Sequence, residues 1–280
     1  KGKFEHHTPM DQIEMGYIAD CPNGGLIYCD ETIADKYIES HAYDYSFDYP
    51  KCMSADKLYI PNKAGKEYKL TELPKPEKLQ TGYYRVKITC QNKNFRKLFA
   101  FSKRHTYTDR SLYQAMKYQE EYNVKIELNE TLKYNAYLYD KADLERGSVL
   151  FGRWFSIISD LKSKYPKNGI VKFMGSSLHG QLEKYYEILK TEDEILNEKL
   201  DIGKKPHNRF QIQGIKIFGI EGEPTFKKLY WLIDTQNPQQ VNIRLKALLS
   251  AYVRNKTARI CTGNIWFGKD AIKNVKHDLN

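Results

Sequence analysis

Two apolar-periodic segments separated by a four-residue breaker constrain this chain most. From residues 142 to 165, Leu144, Val149, Phe151, Trp154, Phe155, Ile158 and Leu161 recur at helical spacing. Pro166 ends the run, because proline has no amide hydrogen and clashes with the preceding turn. Lys167-Asn168-Gly169 then turns the chain, and Ile170, Phe173, Met174, Leu178 and Leu182 repeat the period to residue 186. Two helices joined by so short a turn run antiparallel, so the segment is expected to be a projecting αα-hairpin.

Around this hairpin the pattern alternates between strand and helix, which gives an α+β fold. Residues 82–90 read as a strand with Tyr84, Val86 and Ile88 on one side, and Phe95 with residues 99–101 as a second strand across a polar turn. Residues 108–122 read as a helix capped by Thr108 or Asp109, and residues 122–128 as another strand. Residues 210–220 and 227–233 alternate as strands, and residues 241–260 form a buried helix. Earlier in the chain, residues 1–20 read as a polar lead ending in a strand or turn. Cys21-Pro22-Asn23-Gly24-Gly25 reads as a tight turn and residues 31–40 as a short surface helix. Tyr43, Tyr45 and Phe47 alternate with Asp44, Ser46 and Asp48 as a strand. Pro50 favours extended geometry at Tyr49, and residues 57–76 are expected to be mainly loop.

The 280 residues, 41% hydrophobic and 29% charged, suffice for a substantial core and exclude a wholly disordered tail. No apolar run approaches the roughly 18 residues that cross a bilayer, and the polar start has no signal-peptide stretch. Neither a membrane location nor secretion is expected. Five cysteines, an odd number without CxxC spacing, favour reduced thiols inside the cell. The seven histidines fall in no zinc-binding pattern. Lysine and arginine number 45 against 35 acids, and the net charge of +10 favours polyanionic partners without choosing among DNA, RNA and acidic lipid.

Two short segments carry chemistry. In Asp44-Tyr45-Ser46-Phe47-Asp48-Tyr49-Pro50, a strand would deliver the Asp44 carboxylate, a hard ligand suited to magnesium, to a sheet edge. Along an extended strand Asp48 would lie about 13 Å away, too far to share one ion without a bend. A polar edge aspartate beside a turn is the bland alternative. In Lys172-Phe173-Met174-Gly175-Ser176-Ser177-Leu178-His179-Gly180, helical spacing puts Lys172, Ser176 and His179 on one face. That face is a candidate seat for a triphosphate and sugar, its alternative being an ordinary solvated lysine face.

Together the segments resemble the palm and fingers of a family B DNA polymerase. The family's first palm motif is an aspartate, two residues, then Ser-Leu-Tyr-Pro. Asp44, Tyr49 and Pro50 match it, with Phe47 and Asp48 at the Ser and Leu positions. The fingers motif, Lys-x-x-x-Asn-Ser-x-Tyr-Gly, is matched at Lys172, Ser177 and Gly180, with Ser176 for Asn and His179 for Tyr. The segment Pro22–Gly25 is similar to the linker of the protein-primed branch, and the order of elements over residues 23–260 resembles that branch. The resemblance implies an antiparallel-sheet palm at residues 1–140 with a strand-rich insertion, helical-hairpin fingers at 141–188, and remaining palm at 189–280.

It also implies magnesium-dependent templated nucleotidyl transfer with two Mg2+ ions, a DNA primer–template and deoxynucleoside triphosphates. A terminal protein is a candidate source of the initiating hydroxyl. Asp44 would bind metal and Lys172 the triphosphate, and Tyr49 would lie under the sugar. Ser176, Ser177 and His179 would position the nascent pair, with Lys162 or Lys164, and Arg153 behind them, approaching the phosphates. Gly24, Gly25, Gly180, Arg254 and Lys256 are the DNA-facing candidates. The expected location is the cytoplasm, a viral factory or a virion.

The family's second metal-binding carboxylate comes from an Asp-Thr-Asp hairpin after the helix that residues 244–260 resemble. Asp234-Thr235-Gln236 precedes that helix and ends in an amide that cannot supply an anionic ligand, so Asp234 is only a weak alternative metal ligand. The chain is therefore expected to stop before the last motif, and to be weak or inactive alone. A noncatalytic nucleic-acid-binding module on a polymerase-like scaffold is the alternative reading.

Overall fold

The computed structural model describes residues 12–22, 47–181, 187–202, 210–218, 227–234 and 242–261. Helix α1 (Gln12–Asp20) replaces the expected strand or turn. Glu14, Tyr17 and Ile18, spaced i, i+3, i+4, all turn inward, so burial across a helical period decides the matter. Helix α2 (Asp48–Met53) likewise replaces the end of the expected strand, and Tyr49 is helical rather than extended. Pro50 falls in the first turn, where its missing N–H costs no bond, and burial of Pro50, Cys52 and Met53 holds the helix.

The segment expected as loop contains β1 (Tyr59–Pro61) and β2 (Lys66–Tyr68). Strand β3 (Gly82–Thr89) follows as expected, with Tyr84, Val86 and Ile88 together in one core cluster. The expected second strand is instead helix α3 (Lys93–Leu98), started by Asn92, whose side chain accepts from the Asn94 amide at 2.9 Å. Phe95 and Phe99 sit one helical turn apart, their rings stacked at 5.0 Å, so the aromatic spacing is that of a helix.

Next come β4 (Thr106–Thr108), α4 (Asp109–Lys117), α5 (Gln119–Tyr122), β5 (Lys125–Leu128), β6 (Ala136–Leu138) and β7 (Leu144–Arg146). The hairpin is α6 (Gly147–Lys164) and α7 (Gly169–Gln181). After it lie β8 (Glu187–Thr191), α8 (Glu192–Asn197), β9 (Phe210–Phe218), β10 (Lys227–Asp234) and α9 (Asn242–Cys261). The described part is thus α+β, and every pair of these strands is antiparallel. Strand β3 is the centre of one sheet: its first half pairs with β4 and β6, its second half with β5, and β2 extends β6. A second sheet has the order β8-β10-β9, and β1 pairs with β7.

Helix α9 is the spine, touching α1, α2, α4 and β1. Leu245, Leu249 and Val253 fill one cluster with Met53, Ile60 and Phe151. Arg244, on the same helix, is 0% exposed and grips Glu14 through Nε–Oε1 at 2.5 Å and Nη2–Oε2 at 2.8 Å. The Tyr139 hydroxyl donates to Glu14 Oε1 at 2.6 Å. Burial opposes the Arg244 charge, but the hydrogen-bonded Glu14 carboxylate outweighs it and holds the guanidinium pKa above its ordinary value. One ion pair therefore ties α1, α9 and the chain after β6 into a unit. Among the described residues, no helix is long and apolar enough to cross a membrane.

Helix α4 starts at Thr108, whose hydroxyl accepts from the Ser111 amide at 3.2 Å. The next residue, Asp109, is buried, and its Oδ1 has no hydrogen-bond partner. Burial pushes its pKa up to about 6. An acid whose folded pKa exceeds its unfolded value is most favourable below the unfolded pKa, near 3.9, and loses that advantage as pH rises through the folded one. Asp109→Asn is thus expected to stabilise the fold above pH 6, by up to about 3 kcal/mol, and to confer no such gain below pH 4. Urea titrations of both proteins at pH 4 and pH 8 test this; an equal gain at both values would contradict it.

Candidate functional site

The two chemistry-bearing segments meet through Phe47. This residue caps α2 in the left-handed region, at φ 54 and ψ 42, a rare conformation for a bulky side chain and strained unless its surroundings fix it. Its carbonyl accepts from the Lys51 amide at 2.9 Å. Its ring enters the hairpin: a Cβ on Gly175 of α7 would lie 2.4 Å from Phe47 Cε1, and Lys162 Nζ of α6 is 5.8 Å from the ring centroid. Gly175 is therefore where α7 leaves room for the ring, which sits against both helices of the hairpin.

Packing below the ring holds this arrangement. Cys52 and Met53 share a cluster with Phe151, Leu245 and Leu249, and Tyr49, Trp154 and Leu178 pack against it. At the start of α6, a Cβ on Gly147 would come within 2.1 Å of the Met53 carbonyl oxygen, so only glycine admits the close approach of α2. The Gly147 amide also donates to Leu58 O at 2.8 Å. Across the hairpin turn, Asn168 Oδ1 accepts from the Ile170 and Val171 amides at 2.8 and 3.3 Å and caps α7.

Lys172 stands one helical turn before Gly175, and Ser176 shares the Lys172 face rather than that of Gly175. Both side chains are exposed. The Ser176 hydroxyl donates back to Lys172 O and Phe173 O at 3.1 and 3.2 Å, and Ser177 Oγ to Met174 O at 3.4 Å. Lys162 Nζ donates to Pro166 O at 2.6 Å, while Lys164 and Arg153 are exposed on α6. Tyr49 is half-buried in α2. His179 and Gly180 continue α7, Lys256 continues α9, and Asp234 ends β10, these four being described by their backbone course. Asp44, Gly24 and Gly25 lie outside the described residues.

Phe47 is left-handed and Asp48 is helical, so the expected strand does not run through these two residues. The Asp48 Oδ1 accepts from Cys52 Sγ at 3.6 Å, along its own helix. Among the described residues, no three His, Cys, Asp or Glu side chains form a metal-holding group.

Arg254 turns away from the surface expected of a DNA-phosphate contact. It is 4% exposed, and its Nη2 donates to Pro22 O at 3.1 Å, tying α9 to the chain after α1. Burial lowers its pKa. The sequence reading missed Phe47 and Gly175 as partners. A glycine in mid-helix, where it costs about 1 kcal/mol relative to alanine, was the available signal.

No family model matches the chain, and no curated protein or solved structure matches it significantly.

The seat of the Phe47 ring is testable by coupling. Gly175→Ala gains helix propensity but must displace the ring, so a net loss of about 1–3 kcal/mol is expected. In Phe47→Ala the same glycine substitution meets no ring and is expected to be neutral or stabilising. Thermal denaturation of the two single variants and the double variant measures the coupling; additive effects would mean that the ring does not occupy this space.

Proposed function

We propose that the chain forms palm and fingers of a family B-type DNA polymerase and serves magnesium-dependent templated nucleotidyl transfer. The observation that carries this reading is the insertion of Phe47, from the palm-like motif, against Lys162 and Gly175 of the fingers-like hairpin. Asp44 stands three residues before Phe47 in the sequence.

In this reading the primer 3′ hydroxyl attacks the α-phosphate of a deoxynucleoside triphosphate. A phosphorus–oxygen bond forms to the primer as the bond to the leaving pyrophosphate breaks. Lys172 approaches the triphosphate as a point charge, with Lys162 and Lys164 of α6 on the same hairpin. Tyr49 offers a flat ring below the sugar, and Ser176, Ser177 and His179 flank the nascent pair. Asp44 is the ligand for magnesium, which when bound supplies counter-charge to the phosphates and lowers the pKa of the attacking hydroxyl. DNA primer–template is the polyanionic partner that suits the +10 charge.

Extension of a labelled primer on a template, with one complementary nucleotide supplied, tests the proposal. Incorporation that follows the template base and stops on chelation of magnesium is expected only at a weak level, since the sequence does not match the family's second metal-binding carboxylate. Tight primer–template binding with neither incorporation nor nucleotide binding would instead support a noncatalytic nucleic-acid-binding module.

A further inference from the structure

The tip of the hairpin carries a second surface, on a different face of α7. Ile170, Phe173 and Met174, spaced i, i+3, i+4, share one side of α7, while Val171 and Gly175 turn to the buried side. Ile170 is 70% and Phe173 67% exposed, and Tyr165 at the end of α6 is 55% exposed just across the turn. Large apolar side chains clustered in water mark an interaction surface rather than a solvated end.

Charge decides what that surface fits. Between Leu161 and Gln181 the sequence holds Lys162, Lys164, Lys167 and Lys172 and no aspartate or glutamate. Lys164, Lys167 and Lys172 are exposed, and no carboxylate among the described residues pairs with them. A rigid two-helix tip with exposed rings among unpaired ammonium groups matches a strand whose phosphates are anionic and whose bases are free to stack. An acidic lipid surface would satisfy the lysines, but membrane-binding helices lay a long apolar face in the interface. Here the exposed apolar side chains are Ile170, Phe173 and Met174 in the first two turns of α7, Tyr165 before it, and Ile157 and Val149 singly further back on α6, a short cluster rather than a continuous face.

We infer that the hairpin tip is a binding platform for single-stranded nucleic acid, with Tyr165 and Phe173 stacking on unpaired bases and Lys167 facing the backbone. This platform needs neither nucleotide nor metal, and it goes beyond the nucleotidyl-transfer reading.

Fluorescence anisotropy with a labelled oligonucleotide of about 12 nucleotides, in EDTA and without nucleoside triphosphate, tests it apart from any catalysis. Tyr165→Ala and Phe173→Ala are each expected to weaken binding by about tenfold and to leave the affinity for a blunt duplex unchanged. Lys167→Gln is expected to reduce the slope of log affinity against log salt by about 0.7. Photocrosslinking of a bromodeoxyuridine-substituted strand is expected to label residues 165–174. Unchanged single-strand affinity in the double ring variant, or crosslinks confined to other segments, would overturn the inference. So would ring-dependent binding to phosphatidylserine vesicles without single-strand binding, or a ring-dependent dimer in sedimentation that hides the surface.

Discussion

Arg244→Met is expected to lower the stability of the chain by about 3–5 kcal/mol, because it strands the Glu14 carboxylate in a site with no access to water. Glu14 and Arg244 are each 0% exposed, and both carboxylate oxygens are held by the guanidinium. Removing the cation takes away both of these bonds, and the neutral Tyr139 hydroxyl that donates to Glu14 supplies no counter-charge. Domains of this kind keep only about 5–15 kcal/mol in total, so the melting temperature is expected to fall by roughly 10 °C. The pair itself is not the source of net stability, since desolvation of two ions offsets most of their attraction. Glu14→Leu combined with Arg244→Met is therefore expected to recover much of the loss. Thermal denaturation of both single variants and the double variant distinguishes the cases. A double variant no better than Arg244→Met would mean that packing volume, not stranded charge, sets the cost.

The second large effect is functional. Lys172→Ala is expected to weaken binding of a magnesium-bound deoxynucleoside triphosphate, on a chain already holding primer–template, by about 10- to 100-fold. That range corresponds to losing one charge-assisted contact, about 1.5–3 kcal/mol. Lys172 is exposed, so the melting temperature and primer–template affinity should remain near those of the parent. Equilibrium anisotropy with a labelled nucleotide reads the first effect, and thermal denaturation with duplex binding reads the others. A variant that binds nucleotide normally would remove Lys172 from the triphosphate site. One that loses stability in parallel would make it a packing residue.

Local periodicity made part of this arrangement legible. The α6–α7 hairpin, with its Pro166 stop and the turn at Asn168, the strands β3, β9 and β10, and α9 all repeat their patterns within one segment. Elements decided by distant partners were not legible. Helix α1 owes its form to burial of Glu14, Tyr17 and Ile18 against β6 and α9, and β1 pairs with β7 more than 80 residues later.

Charge misled for the same reason. Arg244 and Arg254 look like two more cations on a basic chain, yet their partners, Glu14 and Pro22, lie 230 and 232 residues away. At the candidate site, helical spacing sufficed to group Lys172 with Ser176. The wedge of Phe47 against Gly175 could not be read, because the space left by a missing Cβ is defined by another segment.

Iron-directed cleavage tests the central claim most directly. With Fe2+ in place of Mg2+, ascorbate and peroxide generate hydroxyl radicals at the bound metal, which cut the polypeptide nearby. In the presence of primer–template and nucleotide, cuts are expected both around Asp44 and within α7 near Lys172. Both sets should disappear in Asp44→Asn. Cuts around Asp44 with none in α7, or cuts that persist in Asp44→Asn, would contradict a shared metal–triphosphate site.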